Sequence, residues 1–105
     1  MFATGCSGFG RLGLPVNSAW SARPVRRGYS RVKTREDADV DWALHLGRRA
    51  ALWAMQAMFP GMRQRRWGRV INRCSLDGIN PYSFSLDYNV AQAALRTLTR
   101  TAARE

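Results

Sequence analysis

The chain alternates twice between a short apolar segment and a longer segment with helical periodicity. Residues 12–17 and 69–72 are the short segments, and both are too short and too apolar to form a solvated hairpin. Helical patterns follow them over residues 37–59 and 85–103. The order strand, helix, strand, helix predicts a right-handed crossover between two parallel strands. The sequence therefore predicts an α/β fold with parallel strands.

The first helical segment carries signals for both of its ends. Thr34 or Asp37 can cap its beginning, and Pro60 followed by Gly61 predicts its end. Its predicted inward face consists of Val40, Leu44, Ala51, Met55 and Phe59. The predicted inward face of the last helix consists of Val90, Ala91, Ala94, Leu95, Leu98 and Ala102.

The length of 105 residues allows one small domain but not two. We divide the chain into a basic, irregular segment with one short strand, residues 1–35, and a helix–strand–helix unit, residues 36–105. A parallel pair of strands leaves open edges and a bare face, which an isolated small domain tolerates poorly. The pattern is therefore that of one part of a larger sheet.

The charge of the chain is strongly positive. Lys and Arg number 17 against 7 Asp and Glu, and Lys33 is the single lysine. A net charge of +10 favours association with nucleic acid or an anionic surface. Arg63, Arg65, Arg66 and Arg69 surround Trp67 and could hold phosphates and a base. A solvated turn between helix and strand is the preferred interpretation of this cluster, so nucleic acid is not the favoured partner.

The N-terminal segment has the composition of an organelle transit peptide. Residues 1–35 contain basic side chains and serines but no Asp or Glu, and Arg27-Gly28-Tyr29-Ser30 resembles a protease cleavage site. Glycine and proline residues interrupt any amphipathic helix there. We therefore predict a cytoplasmic protein, with a mitochondrial location as the alternative if residues 1–30 are a transit peptide. No apolar stretch is long enough to span a membrane, so no membrane association is predicted.

The residues around the second predicted strand match a family pattern. Residues 67–75 read WGRVINRCS and residues 88–95 read YNVAQAAL, with Ser75 and Tyr88 thirteen positions apart. In this arrangement the chain resembles the central part of the short-chain dehydrogenase/reductase family, from about Phe9 to Glu105. In that family a strand reading G-R-I-V-N-x-S-S carries a catalytic serine, and a Y-x-x-x-K motif opens the next helix. The resemblance implies a partial Rossmann-like βαβα unit, which is an incomplete doubly wound sheet.

The resemblance also implies site residues and a cofactor. Ser75 and Tyr88 take the catalytic positions, and Asn17, Ala19 and Asn72 take positions near an NAD or NADP cofactor. In the family a lysine one helical turn after the tyrosine favours the phenolate and holds the nicotinamide ribose. Gln92 stands at that position and carries no charge.

Other positions also depart from the family pattern, and these departures likewise favour impaired function. Gly47 stands where the family has an asparagine, and Trp20 replaces the last glycine of an N-N-A-G motif. Residues 4–10 have one residue too few between their glycines for a dinucleotide fingerprint, and no predicted strand precedes them. Pro15 removes a donor from a strand. No metal site is predicted, because Cys6 and Cys74 lack a second pair of ligands.

The resulting prediction is a short-chain dehydrogenase/reductase-like chain, truncated relative to the family and impaired in hydride transfer. Two alternatives stay open. The chain could be an interaction module that forms a homodimer, or docks on a related subunit, through the helices at 37–59 and 85–103. It could also be a small basic organellar protein bound to RNA or to a larger complex. The substrate and the choice between NAD and NADP are left open.

Overall fold

A computed structural model describes residues 13–21 and 31–105 of the chain. It contains the strands β1 (Val16–Asn17) and β2 (Ile71–Asn72) and the helices α1 (Asp37–Leu44), α2 (Ala50–Arg65) and α3 (Leu86–Ala102). A π-helical segment, His45–Arg49, joins α1 to α2, and short 3-10 turns lie at Val32–Thr34 and Leu76–Gly78. The α/β class with parallel strands is confirmed.

The two strands form a short parallel ladder. Val16 pairs with Ile71 and Asn17 pairs with Asn72. At the start of the ladder, the backbone N–H of Ile71 donates to the carbonyl oxygen of Pro15 at 3.0 Å. Pro15 therefore joins the ladder as an acceptor, which requires no N–H of its own.

The two faces of this ladder have different surroundings. The side chains of Asn17 and Asn72 are partly buried on the side of α2 and α3, where Asn72 donates to Thr99. On the other face Val16 is 58% exposed and Ile71 is 47% exposed. Because successive strand residues point to opposite faces, the helices of the described chain cover one face of the sheet only.

The π-helical segment changes which residues the long helix buries. Asp39, Ala43, Ala51 and Met55 are buried, and the intervening Gly47 is half-buried. In a regular α-helix, with about 3.6 residues per turn, residues spaced four apart rotate gradually around the helix axis. One wider π turn offsets this rotation and keeps the row on the same side. The row continues through α2 with the buried residues Ala54, Met58 and Met62. The predicted inward positions Val40, Leu44 and Phe59 are only half-buried, so that part of the prediction was wrong.

The predicted end of the long helix at Pro60 was also wrong, since α2 continues to Arg65. The helix ends in a Schellman motif. Arg66 has a left-handed backbone with φ 54°, and its N–H donates to the oxygen of Arg63 at 3.1 Å. The N–H of Trp67 donates to the oxygen of Met62, also at 3.1 Å. These two bonds satisfy the final carbonyls of the helix, although glycine is the usual residue at the left-handed position.

The beginning of α1 differs from the sequence prediction. Glu36 occupies the cap position and makes no side-chain capping bond, while the Thr34 hydroxyl donates to the oxygen of Arg31 at 3.0 Å. Arg35 links the first turns of two helices instead. Its guanidinium lies 4.0 Å from Asp39 on α1 and 3.5 Å from Asp87 on α3, and its side chain is 5% exposed. An almost buried ion cluster therefore holds α1 against α3.

The inward face of α3 is narrower than predicted. Ala91 and Leu95 are buried as expected, while Ala94 and Leu98 are half-buried and Val90 is 37% exposed. Gln92 is buried with the apolar residues. None of the helices in the described chain is long and apolar enough to cross a membrane.

Candidate active site

Ser75 lies at the carboxyl end of β2, where the chain turns toward α3. Its side-chain oxygen accepts a hydrogen bond from the backbone N–H of Asp77 at 3.3 Å and donates to the Asp77 carboxylate at 3.2 Å. Ser75 thus caps the 3-10 turn Leu76–Gly78. Both bonds are long, so the hydroxyl can turn to another acceptor at little cost.

Gln92 fixes Ser75 to α3. Its side-chain oxygen accepts a hydrogen bond from the backbone N–H of Ser75 at 2.9 Å, and the residue is 5% exposed. A lysine at this position could not accept that bond, because an ammonium group has donors only. Gln92 therefore joins the end of the strand to the helix that carries Tyr88.

Gly78 brings the same turn into direct contact with α3. A Cβ atom on Gly78 would lie 2.9 Å from the carbonyl carbon of Gln92 and 3.0 Å from the backbone nitrogen of Ala93. These neighbours are backbone atoms and cannot move independently of the helix. Only glycine lets the turn approach the helix this closely, and the approach holds Ser75 in place.

Tyr88 lies in the first turn of α3 and packs against Trp20. The ring centroids are 4.8 Å apart at an interplanar angle of 77°, which is an edge-to-face contact. Trp20 is 42% exposed and follows β1. The Trp42 indole N–H on α1 donates to the oxygen of Ser21 at 3.2 Å and anchors the same segment. The tryptophan at the family's glycine position therefore lies beside the phenol ring.

A cavity of about 690 Å³ lies at the carboxyl ends of the two strands. The site residues predicted from the sequence that line it are Asn17, Ala19, Ser75, Tyr88 and Gln92, together with Gly47 and Trp20. Such a position, outside the carboxyl ends of parallel strands, is where open α/β sheets bind ligands. The fold thus brings most of the predicted positions to one cavity.

Asn72 does not line this cavity. Its side-chain oxygen accepts a bond from the Asn17 amide at 2.6 Å, and its own amide donates to the Thr99 hydroxyl at 2.9 Å. Thr99 in turn donates to the oxygen of Leu95 at 2.7 Å. This chain of bonds attaches the sheet to α3, and it occupies the polar atoms that the sequence comparison placed near a cofactor.

The cavity wall also contains residues that the sequence analysis did not assign to the site. Cys74 is a free, exposed thiol, and Arg73 donates to the Ser18 hydroxyl at 3.4 Å. Partial burial raises the pKa of the Cys74 thiol, and the nearby charge of Arg96 opposes that rise. Asp77 was missed as well. The spacing Ser-x-Asp at the start of a turn is the signal that could have indicated it.

Comparison with known proteins shows the family of this chain. A family model described as short chain dehydrogenase matches residues 4–105. The chain belongs to the short-chain dehydrogenase family, which consists of oxidoreductases. It is 34% identical over 106 residues to the peroxisomal multifunctional enzyme type 2 of Drosophila melanogaster, a match that covers 97% of this chain and 16% of that enzyme.

Further relatives agree with this assignment. The peroxisomal hydratase-dehydrogenase-epimerase of Neurospora crassa is 27% identical, over 92% of this chain and 10% of that protein. L-sorbose reductase from Gluconobacter frateurii, solved with NADPH and L-sorbose, has a TM-score of 0.86 and 26% identity. The match to this structure covers 98% of the present chain and 37% of the reductase. A short-chain dehydrogenase from Streptomyces avermitilis is 22% identical with a TM-score of 0.85, which shows the same fold.

The chain therefore spans between a tenth and two fifths of these relatives. The NADPH complex supports NAD(P) use by the family. In the described part of this chain, Gln92 and Trp20 do not fit a nicotinamide ribose held as the family's lysine holds it. The Gln92 oxygen already accepts the Ser75 N–H, and the Trp20 ring packs on Tyr88. The glycine-rich segment at residues 4–10 lies outside the described residues.

Proposed function

We propose that the chain carries the substrate-side groups of a short-chain dehydrogenase site, Ser75 and Tyr88, and that hydride transfer at this site is impaired. The observation that supports the proposal is the shared cavity, which Ser75, Tyr88 and Gln92 line together. Ser75 can donate a hydrogen bond to a substrate carbonyl once its hydroxyl turns from Asp77. The phenol of Tyr88 can donate or accept the proton that a substrate oxygen exchanges.

Gln92 is the reason for the expected impairment. An amide carries no charge, so it does not favour the phenolate that proton abstraction requires. Its oxygen is also committed to the Ser75 N–H at 2.9 Å. The side chain thus supports the shape of the site and supplies none of the electrostatic assistance that a lysine gives.

The test is a titration of the purified chain with NADH and NADPH, followed by Trp fluorescence and thermal shift, with turnover assays on small ketones and alcohols. We expect no turnover above that of Tyr88→Phe. Tyr82→Phe is the matched control, since Tyr82 is 59% exposed and does not line the cavity. Micromolar binding of either cofactor, together with turnover that Tyr88→Phe abolishes and Tyr82→Phe preserves, would refute the proposal.

A second function is supported by exposed apolar groups on the helices. Trp42 is 40% and Val90 is 37% exposed, and these residues lie on α1 and α3. Such groups favour pairing with a second copy or a related subunit through the helices at 37–59 and 85–103. Sedimentation of the purified chain is expected to show a dimer that Val90→Asp weakens. A monomer at high concentration would contradict this function.

A further inference from the structure

A second cavity, of about 1130 Å³, lies at the opposite end of the strands from the candidate active site. It is formed by the end of α2 and by the connection that leads to the amino end of β2. Its wall includes Arg63, Arg66, Trp67 and Arg69, and it shares no lining residue with the cavity of Ser75 and Tyr88. We call this surface the basic depression. The proposed oxidoreductase function does not use it.

Trp67 forms an exposed aromatic surface in the basic depression. The side chain is 55% exposed, although its ring lies close to the backbone of Gly13, where an added Cβ would be 2.7 Å from a ring carbon. Its backbone N–H is held by Met62 in the Schellman motif. The indole is therefore held in position on one side while more than half of the residue stays accessible to solvent.

The positive charges around this ring are not neutralised by the described chain. The guanidinium groups of Arg63 and Arg66 have no hydrogen bond or ion pair among residues 13–21 and 31–105. Arg69 uses one amino group to donate to the oxygen of Gly68 at 3.0 Å and keeps its other donors. Glu105 is the one acidic side chain in the wall. The depression is therefore positive and rich in donors with the geometry that phosphate requires.

We infer that the basic depression binds single-stranded nucleic acid, with a base stacked on Trp67 and phosphates held by Arg63, Arg66 and Arg69. Exposed aromatic rings within positive grooves bind single strands in this way, because every base has a face that can stack. A duplex is disfavoured, because its bases are stacked inside and are not available to the indole. The net charge of +10 further favours a polyanion.

The experiment measures fluorescence anisotropy of a labelled uridine oligonucleotide of about 12 nucleotides, a length within known site sizes. Trp67→Ala is expected to weaken binding by roughly 5- to 150-fold, the range for loss of one stacked base. Trp67→Phe is expected to retain most of the affinity. Trp53→Ala is the matched control, because Trp53 is 53% exposed and lies outside the depression, and it is expected to leave the affinity unchanged.

The charge is tested with a second pair of variants. Arg63→Gln is expected to lower the affinity and to reduce the slope of log affinity against log salt by about 0.7, the value for one phosphate contact on a single strand. Arg49→Gln removes the same charge outside the depression and is expected to leave the affinity unchanged. Circular dichroism establishes that each variant keeps its helices. If Trp67→Ala unfolds, Trp67→Phe and Arg63→Gln still decide the outcome.

Three results would overturn the inference. Equal losses for Trp67→Ala and Trp53→Ala would show that no base stacks specifically on Trp67, and equal losses for Arg63→Gln and Arg49→Gln would show general attraction by net charge; either result places the binding outside the depression. A duplex that binds as tightly as the single strand would exclude base stacking. Competition by uridine monophosphate at equal nucleotide concentration would identify a mononucleotide site instead.

Discussion

Replacement of Gln92 by methionine tests the bond that joins the two halves of the candidate site. Methionine keeps the approximate volume and the helical propensity of glutamine but has no strong acceptor for the Ser75 N–H. The Ser75 N–H would then have no acceptor, and it faces position 92, where the side chain is only 5% exposed. A buried donor without a partner costs about 1–3 kcal/mol, so we expect the free energy of unfolding to fall by that amount.

The assay is thermal unfolding followed by circular dichroism and Trp fluorescence. For a domain of this size each kcal/mol lowers Tm by about 4–8 °C. Gln92→Lys is expected to cost more than Gln92→Met, because it also buries an ammonium group. Gln56→Met on the exposed side of α2 is the control and is expected to change stability by less than about 0.5 kcal/mol. If Gln92→Met behaves like Gln56→Met, the bond to Ser75 does not hold the site together.

Three further predictions concern other contacts and groups. Gly78→Ala places a methyl group against the backbone of α3 and is expected to lower the free energy of unfolding by about 1–3 kcal/mol. Gly47→Ala is the comparison, because its nearest neighbour lies 3.8 Å away, and it is expected to be neutral or stabilising. Thermal melts of the two variants check these expectations. In a Cys6→Ser background, alkylation of Cys74 is expected to be slower than that of a free cysteine at pH 8 and to rise with pH, because its raised pKa reduces the thiolate fraction. A rate equal to that of a free cysteine would contradict this. Arg35→Met removes the cation between two nearly buried carboxylates and is expected to cost about 3–5 kcal/mol in urea unfolding, whereas a loss below 1 kcal/mol would show that the cluster is solvated.

The strand and helix order was predictable because short apolar runs bounded by turn residues predict strands, and longer segments with apolar residues at helical spacing predict helices. The end of the long helix was not predictable from Pro60. A proline inside a helix removes one N–H donor but need not end the helix, and here α2 continues to the Schellman bonds of Arg66 and Trp67. An arginine with positive φ gives no sequence signal comparable to glycine.

The inward face of the long helix was misplaced for a related reason. The face was drawn with the period of a regular α-helix, and the π-helical segment at His45–Arg49 adds a wide turn in its middle. The π turn has no distinctive composition in this chain. The segment packs against α3, where a Cβ atom on Gly47 would lie 3.8 Å from the Cβ atom of Ala91.

The spacing of residues in the sequence predicted which residues form the candidate site, but it did not predict the contacts between them. The thirteen-residue interval identified Ser75 and Tyr88, but the interval says nothing of partners. That Gln92 accepts the Ser75 N–H depends on the close approach of the turn at Gly78 to α3. Likewise Asn72 bonds Asn17 and Thr99, because the register of the ladder places both amides on the helix side.

The ladder of Val16 with Ile71 has a consequence for the order in which the protein assembles. It joins positions 55 apart in the chain through strands of two residues each. Closing a loop of that length costs about 3.5 kcal/mol of entropy, which so short a ladder offsets only in part. The backbone bonds within each helix are local, so we expect the helices to form before the ladder and β1 to dock last and detach first. Amide hydrogens that donate to β1, such as that of Arg73, are therefore expected to exchange with solvent through this local opening while α3 stays intact. We expect the cavity beside Ser75, which β1 helps to line, to lose this wall on such opening without global unfolding.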